Sequence, residues 1–227
     1  MVTLSTVLFD ENMDVALACL DHPFIQGLKT GSLKLETFQG YLSQDSFYLK
    51  AYAKAFAFGI SKSQDDETME IFLFLLNGVF EELKLHGAYS KKWGFPLNSP
   101  PSKATSNYVD FLLRVASTEE IGDIAAATLP CDALYLFLGT ELKRGDHSKS
   151  RYMEWIDTYS SESFRILTNA LAKLVDRHGT DPERARRHYR RAMELEYDFF
   201  DEAYHSYIHC GEKTGGRDSR LEAPASG

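Results

Sequence analysis

The 227-residue chain has little of what several protein classes need. Its three cysteines, Cys19, Cys131 and Cys210, lie far apart and form no CxxC pair. That excludes a disulfide framework and a thiolate zinc site, and the odd count leaves at least one thiol free within a monomer. Net charge is −8, from 25 basic and 33 acidic side chains, so the chain lacks the basic excess of a general nucleic-acid binder. The longest uninterrupted apolar run, IFLFLL at 71–76, is far too short to cross a bilayer. The N-terminal stretch is acidic with no basic flank and does not read as a secretory signal. Glycine-rich phosphate loops and the GxSxG nucleophile elbow are absent. These absences predict a cytoplasmic protein with no nucleic-acid partner and no membrane partner.

What is present is apolar and aromatic: 44% hydrophobic and 13% aromatic residues, enough for a sizeable core. Spacing is helical nearly everywhere. Leu35, Phe38, Leu42, Leu49, Phe56 and Ile60 recur at three-to-four spacing or its multiples, predicting a helix over 35–61. A second helix is expected over 66–93, apolar almost all round near Phe72–Leu83 and therefore centrally buried. Asn77-Gly78 has the composition of a hairpin turn, but its flanks do not alternate, so helix is preferred. Ser-Pro-Pro at 99–101 marks a break. Ser117-x-x-Glu120 reads as a capping box opening a helix to Lys143, with a kink at Pro130. Residues 144–150 read as a loop and 151–178 as one helical stretch. Asp181-Pro182 starts a last helix, running to about His209. The expectation is an all-α compact bundle of roughly seven or eight helices, one domain over 1–210, followed by a Gly- and charge-rich disordered tail over 211–227.

Polar residues within apolar stripes carry the chemical information. Asp45 shares a helix face with Tyr41, Tyr48, Leu49 and Tyr52, where phenols could serve as its donors. It is either a satisfied core carboxylate or a ligand-facing acceptor in an aromatic pocket. Glu196 is flanked at helical spacing by Tyr189, Ala192, Met193, Phe199, Phe200 and Ala203. Burial there raises a carboxyl pKa, which suits proton transfer at neutral pH, unless a salt bridge offsets it. Cys131 shares a face with Ala127, Leu134, Tyr135 and Leu138, and reads either as a small core residue or as a nucleophile helped by a nearby base. Glu82/His86 and Asp201/His205 are i,i+4 carboxylate–imidazole pairs, either ordinary helix contacts or two halves of a di-iron centre. The block Arg177, Arg184, Arg186, Arg187, Arg190 and Arg191 reads as a solvated face, with an anion contact as the alternative.

With these positions marked, the chain resembles the TenA/thiaminase II family over about residues 8–207. The resemblance rests on HPFIQGLKTGSL at 22–33, FQGYLSQDSFYL at 38–49, Glu82-x-x-x-His86 with the tyrosine that follows, Trp93-Gly94, Asn107-Tyr108, LPCDALY at 129–135, WIDTY at 155–159 and EYDFFDEAY at 196–204. It implies a haem-oxygenase-like fold, a homotetramer, and neither metal nor cofactor. The implied activity is hydrolysis of a small-molecule pyrimidine substrate in thiamin salvage: 4-amino-5-aminomethyl-2-methylpyrimidine is converted to the hydroxymethyl compound, and thiamin is cleaved more slowly. By resemblance Cys131 is the nucleophile and Glu196 the proton carrier. Tyr48 hydrogen-bonds the thiol, and Asp45 holds the ring nitrogen and amino group. Tyr108, Tyr135 and Tyr159 line the pocket, and Phe199 packs on the ring.

The sequence departs from the family's usual aromatic stretch after LPC, with Asp132-Ala133, and from its Glu two residues after the tyrosine, with Phe137. Asp132 is expected to point about a hundred degrees away from Cys131, as neighbours on a helix do. Two other readings compete with the hydrolase. One is a di-iron oxygenase on the same fold using Glu82, His86, Asp201 and His205. The other is a non-catalytic pyrimidine-binding or regulatory protein.

Overall fold

The computed structural model describes residues 2–145 and 149–208, and among these the secondary structure is ten α-helices with no strand. They are α1 (Leu4–Asp10), α2 (Met13–Asp21), α3 (Pro23–Thr30), α4 (Leu35–Lys62), α5 (Asp66–Trp93), α6 (Lys103–Thr118), α7 (Ile121–Lys143), α8 (Met153–Tyr159), α9 (Glu162–His178) and α10 (Pro182–Ile208). Local chemistry sets their ends. Asp65, Ser102 and Ser161 accept from backbone N–H groups of the first turns of α5, α6 and α9, and Asp181 Oδ1 accepts from Arg184 N at the start of α10, as N-caps do. Gly31 and Gly94 close α3 and α5 with φ of 75° and 66°, the left-handed conformation that favours glycine at a helix C-terminus.

Helix α7 is the axis of the bundle. It packs against α8, α9 and α10, and also meets α4 and α6. By length and composition it could cross a membrane, yet 78% of its apolar window is buried inside the protein, which marks a core helix rather than a span. Two glycines permit the crowding. A Cβ on Gly122 would stand 2.1 Å from the carbonyl oxygen of His178, and one on Gly139 would stand 2.7 Å from the backbone carbon of Tyr159. The helix runs through Pro130 as one element.

Several expectations need correction. Ser117 does not open α7. It ends α6 and donates Oγ to the Arg114 carbonyl, while the capping box lies one turn on, between Glu120 and Asp123. The stretch 151–178 is two helices, broken at Ser160-Ser161. Helix α5 is not central. It buries Thr68, Phe72, Leu75, Val79, His86 and Tyr89 but leaves Leu73 50% and Phe80 51% exposed. Gly78 lies inside α5, where a side chain would press on Leu167 of α9. The arginine block is matched by acids: Arg177 to Glu67, Arg184 to Asp123, Arg186 to Glu11 and Arg190 to Asp14. Those pairs leave no anion site at these four positions. The tail over 211–227, Cys210 and His209 lie outside the described residues, as do residues 146–148 of the expected loop.

Candidate active site

Four helices place their inward faces around one small cavity. Asp45 and Tyr48 come from α4, Tyr108 from α6, Tyr135 from α7, and Glu196 and Phe199 from α10. The gap among them is tight: with the side chains as they stand it holds no water-sized sphere. Helical spacing explains the selection. Asp45 and Tyr48 are three apart, as are Glu196 and Phe199, so each pair projects from one face one turn apart. The walls are aromatic. The Tyr48 ring lies 4.6 Å from that of Tyr108 and 5.5 Å from that of Tyr52, and Phe199 meets Tyr41 edge-on at 5.8 Å.

Glu196 is only 2% exposed. Burial pushes its carboxyl up to about 7, and the hydrogen bond from Tyr108 and the nearby Cys131 thiol offset part of that rise. The Tyr108 hydroxyl donates to Glu196 Oε1 at 2.7 Å. Cys131 is half-buried. Burial and the charges of Glu196 and Asp132 hold its thiol well above the usual range, so it does not rest as a thiolate at neutral pH. Tyr48 makes no hydrogen bond. It therefore does not donate to Cys131 here, as the resemblance implied, and its hydroxyl stands unpartnered in the cavity wall.

Asp45 is 5% exposed and its Oδ2 takes no hydrogen bond. The expected phenol donors serve elsewhere: Tyr41 donates to the Tyr135 hydroxyl at 3.0 Å, and Tyr52 to the Thr128 carbonyl and to Asp132. The neighbour of Oδ2 is instead His86 Nε2, 3.4 Å away, whose Nδ1 pairs with Ser46 Oγ at 3.0 Å. Burial holds His86 down to about 4, leaving a neutral ring at pH 7. Burial and the nearby Glu82 carboxylate hold Asp45 well above the carboxylate range. Glu82 is itself pushed up to about 7 by burial, partly offset by its hydrogen bond from Tyr159. Tyr159 thus does not line the cavity. It stands one layer behind, with its ring 4.8 Å from that of Tyr135.

The four residues of the di-iron reading do not meet. Glu82 and His86 converge with Asp45, their ligand atoms all within 4.8 Å. Asp201 pairs instead with His22 and His205, at 3.3 and 3.2 Å. Asp132, the neighbour of Cys131 on α7, does not line the cavity. It is buried, accepts from Tyr52 at 2.9 Å, and is pushed by burial to about 7. Its negative charge raises both Cys131 and Glu196. Phe137 lies off the cavity against Phe9, ring centroids 5.8 Å apart.

Cys131 sits on α7 and is not among the residues lining the cavity, so the class is an all-helical bundle with a protonatable carboxyl in an aromatic slot and a thiol on one of the helices that form it. The chain belongs to the TENA/THI-4/PQQC family, matched over residues 12–206, and within it to the TenA/thiaminase II group. It is 33% identical over 215 residues to an aminopyrimidine aminohydrolase of Halalkalibacterium halodurans, covering 89% of this chain and 96% of that protein. A TenA homologue from P. horikoshii OT3 superposes with a TM-score of 0.83 at 26% identity, covering 89% of this chain and 99% of that one. A protein with a haem-oxygenase-like fold from Shewanella denitrificans superposes at 0.69 with 13% identity, over 94% and 98% of the two chains. The fold is therefore haem-oxygenase-like.

Proposed function

We propose that this chain is an aminopyrimidine aminohydrolase acting in thiamin salvage, with Cys131 as nucleophile and Glu196 as proton carrier. The observation that carries the reading is the pairing of Cys131 with Glu196, each shifting the other's titration, with the Glu196 carboxyl poised near neutrality and braced by Tyr108. Because the thiol is held high, attack must be coupled to proton removal, and ionised Glu196 is the base within reach. As sulfur bonds to the ring carbon beside the one bearing the methylene, the thiol proton passes to Glu196. The electron pair moves onto the ring nitrogens, where the Asp45 and Tyr48 protons can stabilise it. Cleavage of the exocyclic carbon–nitrogen bond then expels ammonia, water adds at the methylene, and the carbon–sulfur bond breaks to restore the thiol.

The rest of the cavity suits the ring. A protonated Asp45 offers one donor and one acceptor, complementary to a ring nitrogen and its adjacent amino group. Phe199, Tyr48 and Tyr108 give apolar faces for a flat heterocycle. Tyr135 completes the wall, and Tyr159 sets Glu82 behind Asp45. These steps need neither metal nor cofactor. The homotetramer is part of the proposal, with the exposed apolar side chains of α5 as a face for it.

The test is ammonia release from aminomethylpyrimidine by wild type and Cys131→Ser. The variant is expected to lose turnover by at least about a thousandfold while still binding the hydroxymethyl product in calorimetry. Undiminished turnover would end the cysteine mechanism.

A further inference from the structure

One side chain is common to the wall of the cavity and to the wall of a surface pocket. Phe199 lines the cavity on one side and, on the other, a small surface pocket of about 40 Å³. Gln44, Ser102, Thr105, Glu202 and Ser206 form the other walls of this outer pocket. It extends the site along the same helices: Gln44 precedes Asp45 on α4, Thr105 lies one turn before Tyr108 on α6, and Glu202 one turn beyond Phe199 on α10. The larger groove between α5 and α9 reaches Glu82 and Tyr159, but neither lines the cavity. That groove shares no lining residue with the cavity, whereas the outer pocket shares Phe199.

The outer pocket carries one formal charge, on Glu202. Its Oε2 accepts from Ser102 Oγ at 2.5 Å and from Ala104 N at 2.6 Å, which fixes the carboxylate at the start of α6. No basic side chain among the described residues pairs with it. Gln44 is committed to structure: its Oε1 accepts from Ser102 N and Thr105 Oγ1, and its Nε2 donates to the Pro100 carbonyl. The polar group left to meet a ligand is thus the Glu202 carboxylate, half-exposed, held by the start of α6 and paired with no basic side chain among the described residues.

We propose that this outer pocket, with Glu202 at its rim, is an entry subsite that selects pyrimidines whose 5-substituent carries a positive charge. The proposal rests on the aminopyrimidine reading above. An aminomethyl group is an ammonium at neutral pH and a thiazolium is permanently cationic, whereas the hydroxymethyl product is neutral. Glu202 therefore attracts the substrate side of the reaction and not its product. Attraction between a partly exposed carboxylate and one cation amounts to about a two- to fivefold preference.

The experiment compares Glu202→Gln with wild type. Glutamine keeps an acceptor for Ser102 and Ala104 but removes the charge. KM for aminomethylpyrimidine is expected to rise about two- to fivefold with kcat unchanged, while the inhibition constant of the neutral hydroxymethylpyrimidine stays fixed. Ser206→Lys, at an exposed rim position, is expected to act in the same direction and serves if Glu202→Gln does not fold. Equal shifts for both ligands, or none for the cationic one, would overturn the subsite. Absence of ammonia release from the wild type would instead sink the catalytic reading. Calorimetry of the same two pyrimidines against wild type and variant then still decides the subsite.

Discussion

Removing one hydroxyl tests the proposed proton carrier directly. Tyr108 donates to Glu196 Oε1 at 2.7 Å in a buried setting, and this bond favours the ionised carboxylate. A hydrogen bond to a charged group contributes about 1.5–3 kcal/mol, and one pKa unit corresponds to about 1.4 kcal/mol. Tyr108→Phe should therefore raise Glu196 by at least about one unit, from about 7 to about 8 or higher. If ionised Glu196 must take the thiol proton, kcat/KM rises with pH through that value. The acid limb of the profile should move alkaline by the same amount. At pH 7 the ionised fraction falls from about a half to about a tenth, a roughly fivefold loss of rate that is recovered by about pH 9. Initial rates of ammonia release between pH 5.5 and 9.5 measure it. A limb that stays in place, or a rate loss equal at every pH, would refute Glu196 as the base in the attack step.

Two further outcomes follow from the same structure. Asp132 is pushed from 3.8 to about 7 by burial, so the folded state holds its proton through a window in which the unfolded chain releases it. Stability then falls as pH rises from about 4 to about 7. Asp132→Asn keeps an acceptor for Tyr52 and removes this loss. Its stability advantage over wild type should grow by about 2 kcal/mol between pH 5 and pH 8, a few degrees in Tm; an advantage that does not change with pH would count against a buried, protonated Asp132. Light scattering should give a mass of four chains, reduced by Leu73→Glu with Phe80→Glu on the exposed face of α5. A wild-type monomer would remove that face as an assembly surface.

Much of the site was legible because its chemistry breaks a helical pattern. Asp45 and Glu196 are charges inside apolar stripes, and a 3.6-residue period says which residues flank them whatever the rest of the chain does. Asp132 carried the same signal, with Thr128, Leu129, Tyr135 and Leu136 at i−4, i−3, i+3 and i+4. The pattern centred on Cys131 masked it because α7 is buried on more than one face: Asp132 is buried and meets Tyr52 of α4 on a face next to that of Cys131. Boundaries were less legible where two signals compete within one turn, as with Ser117 and Glu120, both three residues ahead of an acid.

The sequence by itself determined the helices, the turn chemistry that separates most of them, and the residue types on each face, because these depend on neighbours within about four positions. Only the tertiary structure decided which faces meet. It put His86 rather than a phenol beside Asp45, sent Tyr159 to Glu82, kept Asp201 and His205 away from Glu82 and His86, and made Phe199 a wall of both the cavity and the pocket of Glu202. The Asp45–His86 and Glu82–Tyr159 pairings join residues 41 and 77 positions apart. Local spacing carries no information about them, since they are set by how ridges of one helix seat against grooves of another.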